Sequence, residues 1–564
     1  MPALTELPPE LFERILVHLR TKDIYACAAT CKLLHSAVAL SPLLQYHIDL
    51  EVAGLQEGPA CAPGIQDRVR ALHTFQKRWN TLDWHPQIRA PFWDSGNIWD
   101  LYGGVFGQGN IGGRGTAFHF TRLPSRACGV ETVESWEFKN IEVPNGVRDF
   151  SFDPAQDLLV LLDMKSWPLT VHLRTLSTNE RHPRATKHAF EYMREGAQHP
   201  DVRDESFYLQ IMGHLVAVLR LPRGPRRLAL HNLNELVILN WVTGELVTTL
   251  QTPYLALLTF SFISPTHFIA GVGIDDGDPT RFSLASNPRI QVYRFDPHAK
   301  THTLPTLTAT LLLPELQLGY RIGYLLTRSD PAPAAVMSPK RPFGLAPDDR
   351  LLVITLMIRK EQTLQVSETV NFFVHMSTLL DLERQERDGT GEVPWDRWSS
   401  RARCYPTRPE LTWVCYVYGS RFILPLDVES GIDGRVHPCV LDFNQMELRR
   451  VLHDQQKQTN AQAKDLTEAV EVINIDADSD MDVASDGDEA PDDEWEDEAD
   501  TEVATLCDVS YHRSDSFKKP IKSALPFRSL VSKYELRCTA LMLDEDNIVC
   551  VKEDDPRRLS FLPL

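Results

Sequence analysis

Nowhere in this 564-residue chain does an apolar run approach the ~20 residues that cross a bilayer as a helix. The longest, such as Leu158-Leu159-Val160-Leu161-Leu162, have the length of a strand, so no membrane role is expected. The N-terminus lacks a basic stretch followed by an apolar one, so secretion is not expected and a cytoplasmic or nuclear location is. Cysteine is sparse. Ten residues are scattered without framework spacing, which points to reduced, mostly buried thiols. Lys and Arg are missing altogether from residues 476–502, which hold fifteen Asp or Glu; setting that segment aside moves the net charge from −19 to about −4. The remainder therefore has no broad basic field, and nucleic acid is not expected as a partner. The β-rich part shows no paired-carboxylate, nucleophile-elbow or metal-ligand spacing, and the 19 His include no H-E-x-x-H cluster. No catalysis, cofactor or metal is expected. Gly107-Gln108-Gly109-Asn110-Ile111-Gly112 has the letters of a phosphate loop, but residues 113–120 alternate like a strand where a helix is required. These glycines read as a hairpin loop.

What the chain does have is concentrated in its first fifty residues. Leu11, Phe12, Ile15, Leu16 and Leu19 recur on one helical face. Thr21 can cap a second helix with Ile24, Cys27, Ala28 and Cys31 on its inner side, and Ser41-Pro42 starts a third with Leu43 and Leu44. So few residues cannot bury all these groups among themselves, so some of the face is left for a partner. Cys27 and Cys31 have no second pair nearby and read as small core residues.

The order Leu7-Pro8, Glu10, Ile15-Leu16, Leu19, Asp23-Ile24, Cys31-Lys32, Pro42-Leu43-Leu44 resembles the F-box over about residues 5–50. The resemblance implies docking on a Skp-type adaptor of a cullin–RING ubiquitin ligase, with the rest of the chain selecting substrate. The residues expected to touch the adaptor are Leu7, Pro8, Glu10, Leu11, Ile15, Leu16, Leu19, Asp23, Ile24, Leu43 and Leu44. Residues 51–100 read as a helical connector, with Arg68, Leu72, Phe75, Gln76 and Trp79 on one helix, then Trp84, Trp93 and Trp99. A similar stretch follows the F-box in proteins of the kind expanded in mushroom-forming fungi.

From about residue 100 the apolar period changes from 3.6 to 2. Three stretches read as hairpins around a Pro turn: 150–160, 260–270 and 343–353, the last from Phe343 through Pro347 to Val353. Residues 171–180 and 236–245 superpose without gaps, placing Asn179 and Gly244 at one turn position that wants positive φ, and 290–297 is a looser copy. This repetition resembles a WD-repeat β-propeller. Arg174-Thr175 and Leu239-Asn240 stand where that family has Trp-Asp, and the spacing of the copies exceeds that of a regular array. The pairs Trp93-Asp94, Trp99-Asp100 and Trp395-Asp396 lie elsewhere and read as packing. Further candidates at 101–138, 343–376, 411–443 and 539–562 bring the count to six or seven irregular blades, the last closing the ring; two stacked antiparallel sheets are the alternative.

Residues 454–505 interrupt the strands with a polar and then an acidic stretch expected to be disordered. Within it, Val470, Val472, Ile473 and Ile475 precede acids, as in a SUMO-interacting motif, which binds as an added strand; a propeller strand is the equal alternative. Ser479 and Ser485 have acids at +1 and +3, as acid-directed kinases prefer. Arg220, Arg223, Arg226 and Arg227 read as a solvated turn, with phosphopeptide binding as the sharper alternative. The expected architecture is α+β multidomain: an α-helical F-box (1–50), a helical connector (51–100), an all-β propeller-like domain (101–453 and 506–564) and an acidic insertion (454–505). The expected function is the substrate receptor of an SCF-type ligase. The alternatives are a scaffold that binds the adaptor without a cullin, or a propeller enzyme.

Overall fold

The computed structural model describes the chain apart from residues 1–7, 63, 85–87, 92–95, 97, 111–115, 165–167, 194–204, 223–233, 253–256, 275–286, 300, 334–335, 347–349, 387–390, 408–414, 428–434, 474–500, 539 and 552–557. Four short helices open it: α1 (Pro9–Leu16), α2 (Thr21–Ala28), α3 (Lys32–Leu40) and α4 (Pro42–Val52). Pro9 and Pro42 occupy first-turn positions where no donor is needed, and Ser41 caps α4 by accepting the Leu44 N–H at 3.2 Å. Thr21 does not cap its own helix. Its N–H and its hydroxyl both donate to the Glu51 carboxylate, at 2.7 and 2.8 Å, so α4 supplies the acceptor for the start of α2.

The β-rich part is a seven-bladed propeller. Each blade is built on an antiparallel sheet. In the first five the four core strands follow chain order outward from the axis; the fourth blade adds Glu392–Val393 in parallel at its outer edge, and the sixth and seventh depart from chain order in their outer strands. The innermost strands are Ile98–Tyr102, Val147–Asp153, Glu205–Met212, Leu257–Ser264, Tyr320–Arg328, Val417–Tyr418 and Ala540–Leu543. Middle strands such as Leu158–Asp163 are buried along their whole length, because each blade is covered on both faces by its neighbours. The separate small sheets exclude two stacked large ones. Asn179 and Gly244 have φ of 59° and 69°, at the same turn of the second and third blades. In the seventh blade the outer strand is Ile88–Pro91, paired with Arg558–Pro563, so an early segment of the chain closes the ring. The stretch expected to be connector thus contains two propeller strands, Ile88–Pro91 and Ile98–Tyr102.

Two local expectations are corrected. Gly107 and Gly109 lie within the strand Val105–Asn110 rather than in a loop. A Cβ on Gly107 would stand 2.7 Å from the Phe152 ring and 2.9 Å from that of Phe120, so glycine is required for close packing, and a phosphate has no place there. The segments around Phe343 and Val353 do not pair with each other. Phe343–Leu345 pairs with Leu55–Glu57 just after the helical module, and Leu351–Lys360 pairs with the inner strand Tyr320–Arg328. A short apolar run beside a Pro turn satisfies the hairpin pattern, but the more distant partners win both strands.

This pairing anchors the helices. All turns between first and second strands lie on one face of the ring, and the helical module sits there. The Gly58 N–H donates to the Pro342 carbonyl at 2.8 Å. Helix α5 (Ile65–Thr81) buries Leu72, Phe75 and Trp79, and Arg421 of the sixth blade lies 4.2 Å over the Trp79 ring. The helix Gln445–Ile473 leaves the third strand of the sixth blade on the same side. Asn444, just before it, donates to the Val52 carbonyl at 2.8 Å, and Arg450 pairs with Asp49 at 2.9 Å. This helix covers the expected start of the acidic insertion, so residues 454–473 are helical. The chain returns as Thr501–Leu506 at the outer edge of the same sixth blade, which places the insertion inside the propeller.

Candidate functional site

The helical module divides its apolar residues into two sets. Leu16, Ile24, Ala28, Val38, Leu44, Ile48 and Val52 form a core of their own. Outside it stand Leu11 (45% exposed), Ile15, Tyr25, Leu33 and Leu40 (81% exposed), on α1, α2 and α3. Leu33 and Leu40 are seven apart, two turns on one side of α3. These five side chains are exposed among the described residues although the core beneath them is filled, and exposed large apolar groups gathered on one small module point to an interaction site.

The structure sorts the residues expected at the adaptor. Pro8, Glu10, Leu11, Ile15 and Asp23 are exposed and can meet a partner; Leu19 and Leu43 are half-buried. Leu16, Ile24 and Leu44 are corrected to core positions: at 1% exposed or less they hold the helices together and cannot reach a second protein. Leu7 lies outside the described residues. Tyr25, Leu33 and Leu40 were missed. Leu40 was legible, since it is the last apolar residue before Ser41 and falls off the buried stripe of Leu34 and Val38. Val470, Val472 and Ile473 fall in the final turn of the helix Gln445–Ile473 rather than on an extended strand, and Ile475 is outside the described residues. Arg220 is buried, pairing with Glu205 at 3.0 Å and Glu235 at 3.8 Å; Arg223, Arg226 and Arg227 are not among the described residues. Asp94 and Trp93 are likewise outside them, while Trp99-Asp100 is on an inner strand and Trp395-Asp396 opens a short helix.

The joint between module and propeller is an apolar core, in which Leu72, Phe75 and Trp79 of α5 meet Phe343, Phe373 and Phe443, with buried polar networks beside it. Arg341, beside the strand Phe343–Leu345, donates two hydrogen bonds to Asp546 at 2.9 and 3.0 Å and also pairs with Glu545. Burial works against its charge, but Asp546 and Glu545 outweigh it and hold the guanidinium protonated well above its usual range. Tyr418 donates to Glu545 at 2.6 Å. In the sixth blade Asp442 sits between Arg421 and Arg528; burial would raise its pKa, but the two cations hold it below the usual range. Arg528 also donates to the Asn80 side chain of α5 at 3.0 Å, which ties the second network to the helix. Among the described residues no group of three His, Cys, Asp or Glu is arranged to hold a metal ion, and no helix is long and apolar enough to cross a membrane.

Residues 4–51 match the F-box-like family model. In backbone shape the chain is similar to the WD40 domain of coronin from Toxoplasma gondii, at 9% identity over 64% of this chain and 72% of that one, with a TM-score of 0.32. It is similar also to the WD40 domain of SCAP from fission yeast, at 8% identity over 79% and 98%, TM-score 0.31. A third similar structure is hydrazine synthase from Kuenenia stuttgartiensis, at 10% identity over 84% and 97%, TM-score 0.34. No curated protein matches the chain by sequence.

Proposed function

We propose that this chain, which joins an F-box-like module to a seven-bladed β-propeller, is the substrate receptor of an SCF-type cullin–RING ubiquitin ligase. The observation that carries this is the uncovered set Leu11, Ile15, Tyr25, Leu33 and Leu40 on a module whose own core is already filled. A Skp-type adaptor covers that surface, with Pro8, Glu10 and Asp23 at its rim. The propeller then presents its other face to substrate, since the helices occupy the face of the first-to-second-strand turns. The chain contributes position rather than bond chemistry: a rigid joint holds bound substrate at a fixed distance from a ubiquitin carrier.

The test is affinity purification of the full chain with the proteasome blocked, compared with the variant Leu11→Asp/Ile15→Asp. The full chain is expected to bring down a Skp-type adaptor and a cullin, and the variant neither, with an unchanged melting temperature. Adaptor without cullin would establish the scaffold instead. Binding retained by the folded variant would overturn the docking surface.

A further inference from the structure

Five of the seven inner strands enclose a cavity of about 400 Å³ on the propeller axis, within the range of small-ligand sites, roughly 300–1,000 Å³. Its walls are unusual in charge. Asp100, Asp149 and Asp330 line it, against one basic residue, Arg328. Arg328 is already committed: it donates to Asp330 at 2.8 Å and to the Cys415 sulfur at 3.1 Å. An anion therefore finds no free cation here. Asp100 accepts the Ser151 hydroxyl of the next blade and the Leu101 N–H, both at 3.0 Å, and Asp149 accepts the adjacent Phe150 N–H at 2.9 Å. Among the described residues neither forms an ion pair with a basic side chain. Ser329, 2% exposed, lines the same cavity with its hydroxyl lacking any hydrogen-bond partner. Trp99 and Tyr208 add aromatic rings to the wall. Carboxylates beside aromatic rings are the chemistry that receives an organic cation. The environment already holds one: Arg148 lies 5.6 Å over the Phe207 ring, another lining residue.

We propose that the axial cavity binds an organic cation, the amine or guanidinium group of a lysine or arginine side chain on an extended peptide, through Asp100 and Asp149. As a substrate site it rests on the receptor reading above; the binding itself does not. Both carboxyls lie deep in the molecule yet face the cavity. Burial pushes Asp100 up to about 6 and Asp149 up to about 7. The charged groups that face them are Arg328 and Asp330 toward Asp100, Arg148 toward Asp149, and each other; Cys415 stands beside Arg328. An arriving cation favours the ionised carboxylates, so binding near neutral pH releases protons.

The experiment is isothermal titration of the full chain with an acetylated, amidated Gly-Gly-Lys-Gly-Gly peptide, its norleucine counterpart and free agmatine. Each is run at pH 7 in two buffers of different ionisation enthalpy. The lysine peptide is expected to bind with buffer-dependent heat that reports proton release, and the norleucine peptide not to bind. Asp100→Asn/Asp149→Asn, nearly isosteric, should weaken binding at least tenfold and remove the buffer dependence. Agmatine binding as well as the peptide, with the same loss in the variant, supports the cation chemistry and assigns it to free amines. Binding that ignores the substitutions, or no binding by either cation, overturns the proposal. Proton release is read on the unsubstituted chain, so a misfolded variant does not leave the question open. Adaptor capture from the same preparation tests the receptor reading separately.

Discussion

Single residues in α1 have opposite duties one position apart. Ile15 is exposed and Leu16 is buried, although both are large and apolar. Truncating Leu16 to Ala should cost about 2–5 kcal/mol, as for buried leucines generally, and lower the denaturation midpoint. Leu40→Ala should leave the midpoint nearly unchanged and weaken adaptor binding alone. Chemical denaturation beside a binding assay checks both. The carboxyl of Asp149 gives a pH-dependent prediction. With its folded pKa at about 7 and its unfolded value near ~4, the native chain holds a proton that the unfolded chain has released between those values. Its contribution to stability therefore falls as pH rises from ~4 to ~7 and levels off above. Asp149→Asn removes that loss, so its gain in melting temperature over the unsubstituted chain should be larger at pH 8 than at pH 5. At this scale the exposed apolar surface of the helices was half legible. Six of the nine residues 11–19 are apolar, so the segment has more than one apolar side, and the sequence does not say which side the other helices cover.

Elements were legible where their partners are close in the chain. The match of 171–180 to 236–245 put Asn179 and Gly244 at the same turn, and both have positive φ. The blades at 150–160 and 260–270 likewise pair across their Pro or Ser-Pro turns. The strand Phe343–Leu345 was assigned to the wrong partner because its true one, Leu55–Glu57, leaves no local signal. The same blindness hid Ile88–Pro91 inside a stretch read as helical connector. Gly107 shows that a glycine-rich string has more than one cause. Gly107→Val should cost about 1–3 kcal/mol through overpacking against Phe120 and Phe152, measurable as a lower melting temperature. A loop glycine without contacts would tolerate it.

At the scale of the molecule, the insertion interrupts one sheet rather than separating two bodies. Arg435–Asp442 pairs with Phe527–Ser532, and that strand pairs with Thr501–Leu506, so strands from both sides of residues 474–500 share hydrogen bonds. A site-specific protease sequence placed between 473 and 501 should give two fragments that co-elute in size-exclusion chromatography without denaturant. Separate elution would mean that the sixth blade does not hold across the cut. The repeat and the late strands pointed to six or seven blades in a closed ring, of which the structure has seven; the strand that closes the ring was not legible. The strand Ile88–Pro91 waits for Arg558–Pro563. During synthesis the helices of the first fifty residues leave the ribosome early and have their own core to fold on. The ring cannot be finished until Arg558–Pro563 has been made. Between those two points of synthesis the nascent chain carries a folded helical module beside an open seam with bare strand edges, the state most exposed to aggregation. The order of synthesis thus separates the two halves of the molecule in time: the helices are folded while the ring is still open, and the ring's last seam is sealed by two strands about 470 residues apart in the chain.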